Sequence, residues 1–252
     1  MPHSTGSPAA RASNRPVLLS ETAKARLRAV STATLTSQLL KRGFRNTFIR
    51  GLIPAQPALR MVGYAFTLRY VPTREDIGFE VDYDNTRNVQ RLAVEAIQPE
   101  DVLVIDARGE VSAASLGHIL ATRIKVRGGV GIVTDGALRD SPSFAGLDLP
   151  VYYRAAHATT SSVLHHPVDM NVPIGCGGVL VMPGDVLVGD AEGVVVIPAH
   201  LAEEVARDAY EQDIKEEFIL EQVQKGASIV DLYPMQEVHR PAFEAWRAQR
   251  GL

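Results

Sequence analysis

The stretch that decides the fold is Gly128-Gly129-Val130-Gly131-Ile132-Val133-Thr134-Asp135-Gly136-Ala137-Leu138-Arg139-Asp140. Its short β-branched apolar run, Val130 to Val133, predicts a buried strand. A polar turn containing Gly136 follows the strand and leads to the adjacent Arg139 and Asp140. Charged residues just beyond a buried strand are typical of a functional site. An Arg-Asp pair on its own is equally compatible with a structural ion pair or a solvated loop.

The composition is that of an average globular protein. The chain has 252 residues, 46% hydrophobic and 22% charged, which predicts one domain with extensions, although two small domains also fit. The formal net charge is -3, so neither nucleic acid nor a membrane is expected as the main partner. Met1 to Pro16 are small and polar without the apolar core of a signal peptide, which favours a disordered leader on a cytoplasmic protein.

The residues before the opening stretch complete a β-α-β unit. Val102 to Asp106 predicts a first strand, and a helix beginning near Gly117 follows it. The strand Val130 to Val133 comes next, so the two strands are expected to be parallel. The start of the helix would direct free backbone N–H groups and the positive end of its dipole at a ligand, which suits a carboxylate.

The N-terminal part predicts two helices and a strand. Ser20 and Ser31 are expected N-caps, and the second helix presents an apolar face of Leu35, Leu39 and Leu40. Met61 to Tyr70 predicts a strand. The acidic segment from Val71 to Thr86 has no regular period, so we expect a long loop that either borders a pocket or is simply exposed.

The C-terminal third changes character. From Val168 onward, short β-branched runs separated by glycine predict a β-meander or barrel-like layer, followed by a long helix that ends near Gln224. The tail from Asp231 to Leu252 is expected to pack on a neighbour or to remain partly loose. Cys176, the single cysteine, is predicted to be a small buried residue. The run from Ala155 to His166 is expected to be a loop. The pair His165-His166 at its end offers possible metal ligands but has no third ligand at metal spacing.

With these elements in place, the chain resembles the RraA-like family, which contains regulator of ribonuclease activity A and the 4-hydroxy-4-methyl-2-oxoglutarate aldolases. The resemblance is carried by the segments Ala113 to Ala121, Gly128 to Asp140, and Asn171 to Pro198. It implies an α/β fold, the swivelling β/β/α domain, with N-terminal helices and a C-terminal helical extension. The expected divisions are a leader at 1–17, a single domain at 18–230 and an extension at 231–252. It also implies a homotrimer or homohexamer with sites between subunits.

The resemblance also implies roles for particular residues. The substrate-binding residues carried over from the aldolases are Gly117, His118, Ile119, Leu120 and Arg139. Arg139 would contact the substrate oxygen as a catalytic residue, and Asp140 would hold a divalent metal. One carboxylate with water or substrate as the other ligands favours Mg²⁺ or Mn²⁺.

One position departs from the family pattern. His118 stands directly after the helix-start glycine, where many active relatives carry Asp or Glu. A carboxylate there would help to organise metal-bound water, whereas a neutral imidazole could orient a water or act as a catalytic base.

The resemblance therefore implies a divalent-metal-dependent lyase, an aldolase or decarboxylase, that cleaves a small 4-hydroxy-2-oxo acid or oxaloacetate through a pyruvate enolate. The alternative is a non-catalytic protein that binds and regulates an endoribonuclease. A related lyase or hydratase acting on a sugar-derived 2-oxo acid is a third reading of the same site.

Overall fold

The computed structural model describes residues 18–76 and 84–252. The predicted leader at 1–17 and the central part of the predicted acidic loop, residues 77–83, lie outside the described residues. The helices are α1 (Glu21–Ala29), α2 (Thr32–Lys41), α3 (Val89–Ala96), α4 (His118–Val126), α5 (Ala202–Gln224) and α6 (Arg240–Gln249). The strands are β1 (Phe48–Ile49), β2 (Ile53–Pro54), β3 (Met61–Pro72), β4 (Asp101–Asp106), β5 (Ala114–Leu116), β6 (Gly131–Thr134), β7 (Ala137–Leu138), β8 (Val151–Tyr153), β9 (Ala155–Ala156), β10 (His165–Met170), β11 (Ile174–Cys176), β12 (Val179–Val181), β13 (Val186–Gly189) and β14 (Val194–Ile197).

A nine-stranded mixed sheet forms the centre of the described structure. Its order is β1-β14-β13-β3-β4-β6-β8-β2, and β10 also pairs with β3. The predicted β-α-β unit is confirmed, because β4 and β6 are parallel with Val104 opposite Val133. The 12-residue strand β3 accommodates two antiparallel partners on one edge, β13 along its first part and β10 along its second.

The sheet has a buried core on both faces. Alternation along β4 places Leu103 and Ile105 in a cluster covered by α3 and α4, and places Val104 in a second cluster covered by the β11–β12 hairpin. Helices α1, α2 and α5 cover another part of the sheet, where Val186 and Val188 of β13 are buried. The expected α/β fold with helices outside a curled sheet is therefore present.

Local capping explains why the N-terminal helices begin where they do. The hydroxyl of Ser20 accepts from Ala23 N at 3.1 Å, and that of Ser31 accepts from Thr34 N at 3.0 Å, which confirms both predicted caps. Leu40 is a correction, since 57% of it is exposed. The other two residues predicted for this face, Leu35 and Leu39, are buried, which confirms them.

Two predicted loops contain regular structure. Strand β3 continues to Pro72, so the acidic loop begins later than predicted. The segment from Ala155 to His166 was expected to be a loop, but it contains β9, a short 3-10 helix at Ser161–Val163 and the start of β10. Backbone pairing with distant strands supplies this order, and a local pattern does not report such pairing.

The C-terminal third departs from the prediction in two ways. The strands do not form one meander, since β11 and β12 make a separate hairpin while β13 and β14 join the large sheet. The tail is not loose, because α6 packs on α5 of the same chain. Phe243 and Trp246 of α6 are buried against Phe218 of α5, with ring centroids 5.6 and 5.8 Å away. The division at residue 230 stays a prediction.

Within the described ranges, no helix combines the length and the apolar character that crossing a bilayer requires.

Candidate active site

A small parallel sheet, separate from the large one, brings the predicted site residues together. Its order is β5-β7-β9, and the carboxyl ends of parallel strands meet at one edge. Gly117 follows β5 and Arg139 follows β7, and Arg139 N donates to Leu116 O at 2.9 Å. Sequence analysis missed β5 and β9, because two or three small residues give no hydrophobic period to detect.

Asp140 lies at the start of α4. Its Oδ2 accepts a long hydrogen bond from His118 N, at 3.3 Å, and its Oδ1 lies 3.7 Å from Arg139 Nε. The carboxylate therefore faces the positive end of the helix dipole. Asp140 also adopts a left-handed backbone conformation, with φ of 61°, which only a few residue types tolerate.

Gly117 allows Asp140 to approach the backbone closely. A Cβ at this position would stand 3.2 Å from Asp140 Oδ2, so a side chain would force the carboxylate to move. Gly117 is the N-cap of α4 and provides no side-chain cap. The N–H groups of Ile119 and Leu120 lie in the first turn, where helix geometry leaves them without intrahelical partners. The predicted helix-start cradle is present, and Asp140 engages its first N–H.

A cavity of about 620 Å³ opens beside this helix start. Five of the six predicted site residues line it, namely Gly117, Ile119, Leu120, Arg139 and Asp140. The remaining walls come from α3 and the residues before it, from β5, from α4, and from the segment after β9. They are Asn85, Gln90, Arg91, Val94, Glu95, Ala114, Leu116, Arg123, Thr160 and Ser161. None of the α3 residues was among the predicted site residues, because their polar side chains form no recognisable sequence motif.

His118 is the predicted residue that does not line the cavity. Its imidazole makes an edge-to-face contact with Phe144, with ring centroids 5.7 Å apart. The backbone N–H of His118 reaches the site through its bond to Asp140.

A buried network holds β5 in place beneath the cavity. Gln90 is 4% exposed, and its Nε2 donates to Tyr70 Oη at 2.6 Å and to Ser115 O at 2.8 Å. Tyr70 Oη in turn donates to the same Ser115 carbonyl at 2.9 Å. Since Ser115 lies two residues before Gly117, this network fixes the position of the helix start relative to α3.

Glu95 and Arg123 form a bidentate ion pair on the cavity wall. Arg123 Nε and Nη2 donate to the carboxylate at 2.9 and 2.7 Å, and Arg127 Nη1 donates at 3.3 Å. The hydrogen bond from Arg123 lowers the pKa of Glu95, so this carboxylate stays ionised and is a poor proton acceptor.

The donor set fits a cation that keeps much of its water. Among residues 18–76 and 84–252, no three His, Cys, Asp or Glu side chains come together as a metal cluster, which disfavours a zinc-type site in that part of the chain. Asp140 offers a half-exposed carboxylate beside Arg139. One carboxylate completed by water and substrate oxygens is a donor set that Mg²⁺ uses in proteins.

His165 has a structural role. It is 1% exposed, its Nε2 lies 3.2 Å from Ala113 O, and its Nδ1 lies 3.3 Å from Arg108 Nη2. Burial lowers the pKa of His165. Cys176 is fully buried on β11, and burial raises the pKa of its thiol. This environment confirms it as a small buried residue.

A family model described as RraA-like, Aldolase/RraA, matches residues 32–196. A Halalkalibacterium halodurans protein named "Putative 4-hydroxy-4-methyl-2-oxoglutarate aldolase" is 40% identical over 119 residues, which are 47% of this chain and 56% of that protein. Protein DlpA of Legionella pneumophila is 27% identical over 177 residues, covering 70% of this chain and 28% of DlpA. The chain thus spans less than two thirds of the length of either curated relative.

Two solved structures have similar folds. Streptomyces coelicolor RraAS2, described as an unusual member of the RNase ES inhibitor RraA protein family, superposes with a TM-score of 0.70 at 32% identity. The match covers 80% of this chain and 97% of RraAS2. An uncharacterized protein from Pseudomonas syringae gives a TM-score of 0.73 at 23% identity, over 86% of this chain and 99% of that one. The second likeness concerns the fold alone.

Proposed function

Because this chain belongs to the RraA-like family, we propose that its cavity is the active site of a divalent-metal-dependent lyase. The substrate is a small 4-hydroxy-2-oxo acid or oxaloacetate, cleaved through a pyruvate enolate. The observation that carries the proposal is the single cavity that unites the α4 start with Arg139 and Asp140. The aldolase names of the curated relatives support it.

The pyruvyl carboxylate binds at the start of α4. The N–H groups of Ile119 and Leu120 are oriented along the helix axis, and the helix dipole favours a negative charge there. Gly117 leaves room for a close approach to the backbone. This interaction fixes one end of the substrate, so that its 2-oxo group lies towards Arg139.

Arg139 stabilises the charge that develops during cleavage. In an aldol cleavage the C4 hydroxyl gives up its proton and becomes a carbonyl as the bond between C3 and C4 breaks. The electron pair of that bond forms the enolate, negative charge accumulates on the C2 oxygen, and protonation at C3 then gives pyruvate. The same enolate arises when oxaloacetate loses carbon dioxide. A guanidinium that donates to this oxygen interacts more strongly with the enolate than with the ketone. Mg²⁺ or Mn²⁺ held by Asp140 would supply further positive charge at the same oxygen.

The decisive experiment replaces Asp140. Asp140→Asn keeps the shape and tolerates the left-handed backbone, but removes the charge that holds the cation. We expect pyruvate release from oxaloacetate and from 4-hydroxy-4-methyl-2-oxoglutarate to require Mg²⁺ or Mn²⁺. The substitution should reduce it by about a hundredfold or more. Asp148→Asn is the matched control, because Asp148 also has positive φ, 46°, and 83% of its side chain is exposed. Full activity of the Asp140→Asn protein would refute the assignment.

A second candidate function is binding and regulation of an endoribonuclease without catalysis. It is favoured by the similarity to RraAS2 and by exposed apolar side chains on α4, since Ile119 is 82% and Val126 is 70% exposed. Such residues are typical of protein-binding surfaces. Inhibition of an RNase ES-type nuclease, together with a lack of turnover on both oxo acids, would favour this function over the lyase.

We also propose a homotrimer or homohexamer as the working assembly. Ile119 lies at the rim of the cavity, so a neighbouring copy that covers it would also enclose the site. Sedimentation at micromolar concentration should show a multiple of the 27.3 kDa chain.

A further inference from the structure

The α3 wall of the cavity carries an arginine that has no acidic partner among the described residues. Arg91 of α3 lines the cavity and is half-buried. Its Nη1 donates to Gln90 Oε1 at 3.2 Å, and in the described part of the chain no carboxylate lies within ion-pair distance of it. The other two arginines of the cavity differ, since Arg123 is paired with Glu95 and Arg139 lies beside Asp140.

The position of Arg91 is set by the same network that holds the site. Gln90 uses its amide N–H groups on Tyr70 and Ser115 and leaves its Oε1 to accept from Arg91. The guanidinium is therefore anchored, through Gln90, to strand β5, which directly precedes Gly117. An arginine held in this way loses little side-chain freedom when an anion binds, and its remaining N–H groups match the two oxygens of a carboxylate.

The size of the cavity leaves room for a second anionic group. A volume of about 620 Å³ is within the range of pockets that hold whole drug-sized ligands, and a pyruvyl head at the α4 start fills only part of it. A neutral tail would leave the half-buried guanidinium of Arg91 partly desolvated without a compensating charge, which is unfavourable. A carboxylate at the far end of the substrate satisfies it.

We propose that Arg91 is a specificity-determining residue that binds a second carboxylate, at the end of the substrate remote from its 2-oxo acid head. This inference rests on the proposed function, since it assumes that the head occupies the α4 start. It assigns the selection of dicarboxylic over monocarboxylic 2-oxo acids to one side chain on α3. Arg139 and Asp140 serve the reacting end.

The test uses two non-cleavable probes of almost the same shape, 2-oxoglutarate and 2-oxopentanoate, which differ only in a terminal carboxylate or methyl group. Binding to the full chain is measured by calorimetry with Mg²⁺ present. The wild-type protein should bind 2-oxoglutarate about ten- to a hundredfold more tightly, as expected for a charge-assisted hydrogen bond. Arg91→Gln should remove this preference by weakening the dicarboxylate alone, and Arg91→Lys should restore part of it.

Arg87→Gln is the matched control, because Arg87 is exposed on the turn before α3 and does not line the cavity. It should leave the preference unchanged. Equal affinity of the wild-type protein for the two probes would overturn the inference. So would a preference that survives Arg91→Gln, or an equal loss of both affinities in that variant.

Failure of this inference can be told apart from failure of the proposed function. If Asp140→Asn abolishes pyruvate release while Arg91→Gln changes neither probe's affinity, the lyase stands and the role of Arg91 is refuted. If neither probe binds and neither oxo acid is cleaved, both proposals are wrong. A preference that depends on Arg91 in a protein without turnover supports the binding site and refutes the lyase.

Discussion

At the scale of single residues, Asp135 holds together two segments of the chain, a role that its position in the sequence does not predict. Its carboxylate is 4% exposed and accepts from Ala107 N at 2.7 Å, Gly109 N at 3.0 Å and Gly177 N at 3.2 Å. These donors belong to the segment after β4 and to the β11–β12 turn. One buried carboxyl group, which accepts from three backbone N–H groups, therefore joins two segments far apart in the chain.

Asp135→Ala should lower the free energy of unfolding by about 3 kcal/mol or more, because it leaves three largely buried N–H groups without an acceptor. Urea denaturation followed by circular dichroism measures the change. Asp169→Ala is the control, since Asp169 is 47% exposed and lies 3.9 Å from Arg69. It should cost less than about 1 kcal/mol. Similar losses in the two variants would mean that the three backbone bonds contribute little.

His165 should make stability depend on pH. Burial lowers its pKa below the ordinary value of 6.5, so in the window below about pH 6.5 the unfolded chain binds a proton that the folded chain does not. Stability must fall as the pH falls through this window, by up to about 1.4 kcal/mol per pH unit from this group. Unfolding measured between pH 7.5 and 5 should show a smaller slope in His165→Gln. His200→Gln, at an exposed position, should keep the wild-type slope.

At the scale of elements, the helices and strands that were predicted correctly are those with a sequence pattern of their own. The starts of α1 and α2 were predictable because a capping serine precedes each helix. The parallel strands β4 and β6 were predictable because an apolar run lies within each of them. Strands β5 and β9 were not, since they exist only by pairing with β7. The α3 wall of the cavity was missed for a related reason, because Gln90 meets Ser115 only after the chain has folded.

The docking of α6 on α5 should depend on one aromatic cluster. Trp246 is 7% exposed, its ring stacks with Phe243 at 6.1 Å, and its Nε1 donates to Glu221 at 3.0 Å. Trp246→Ala should destabilise this docking by about 3 kcal/mol or more. Hydrogen exchange should then accelerate along α6 while β4 stays protected. Val238→Ala, at a position 74% exposed, should leave both rates unchanged. Equal acceleration of β4 would show that the two regions open together.

At the scale of the whole molecule, the site and the C-terminal helices occupy different parts of the chain. Every residue that lines the cavity falls between Asn85 and Ser161, inside the family match at 32–196. The cluster around Phe218, Phe243 and Trp246 lies outside that match. Changes in α6 are therefore expected to alter stability without altering the chemistry of the cavity.

Because Cys176 is buried, the rate at which a thiol reagent labels it measures how often the structure around it opens. It is the single cysteine, it is 0% exposed, and its thiol lies 3.6 Å from Ile105 O beneath the β11–β12 hairpin. A thiol reagent can reach it only after the hairpin leaves the sheet. The labelling rate in native buffer then equals the rate for the unfolded chain multiplied by the fraction of open molecules. We expect labelling to be slower than in denaturant by about a thousandfold or more, and faster again in Asp135→Ala, because that carboxylate also binds Gly177 N.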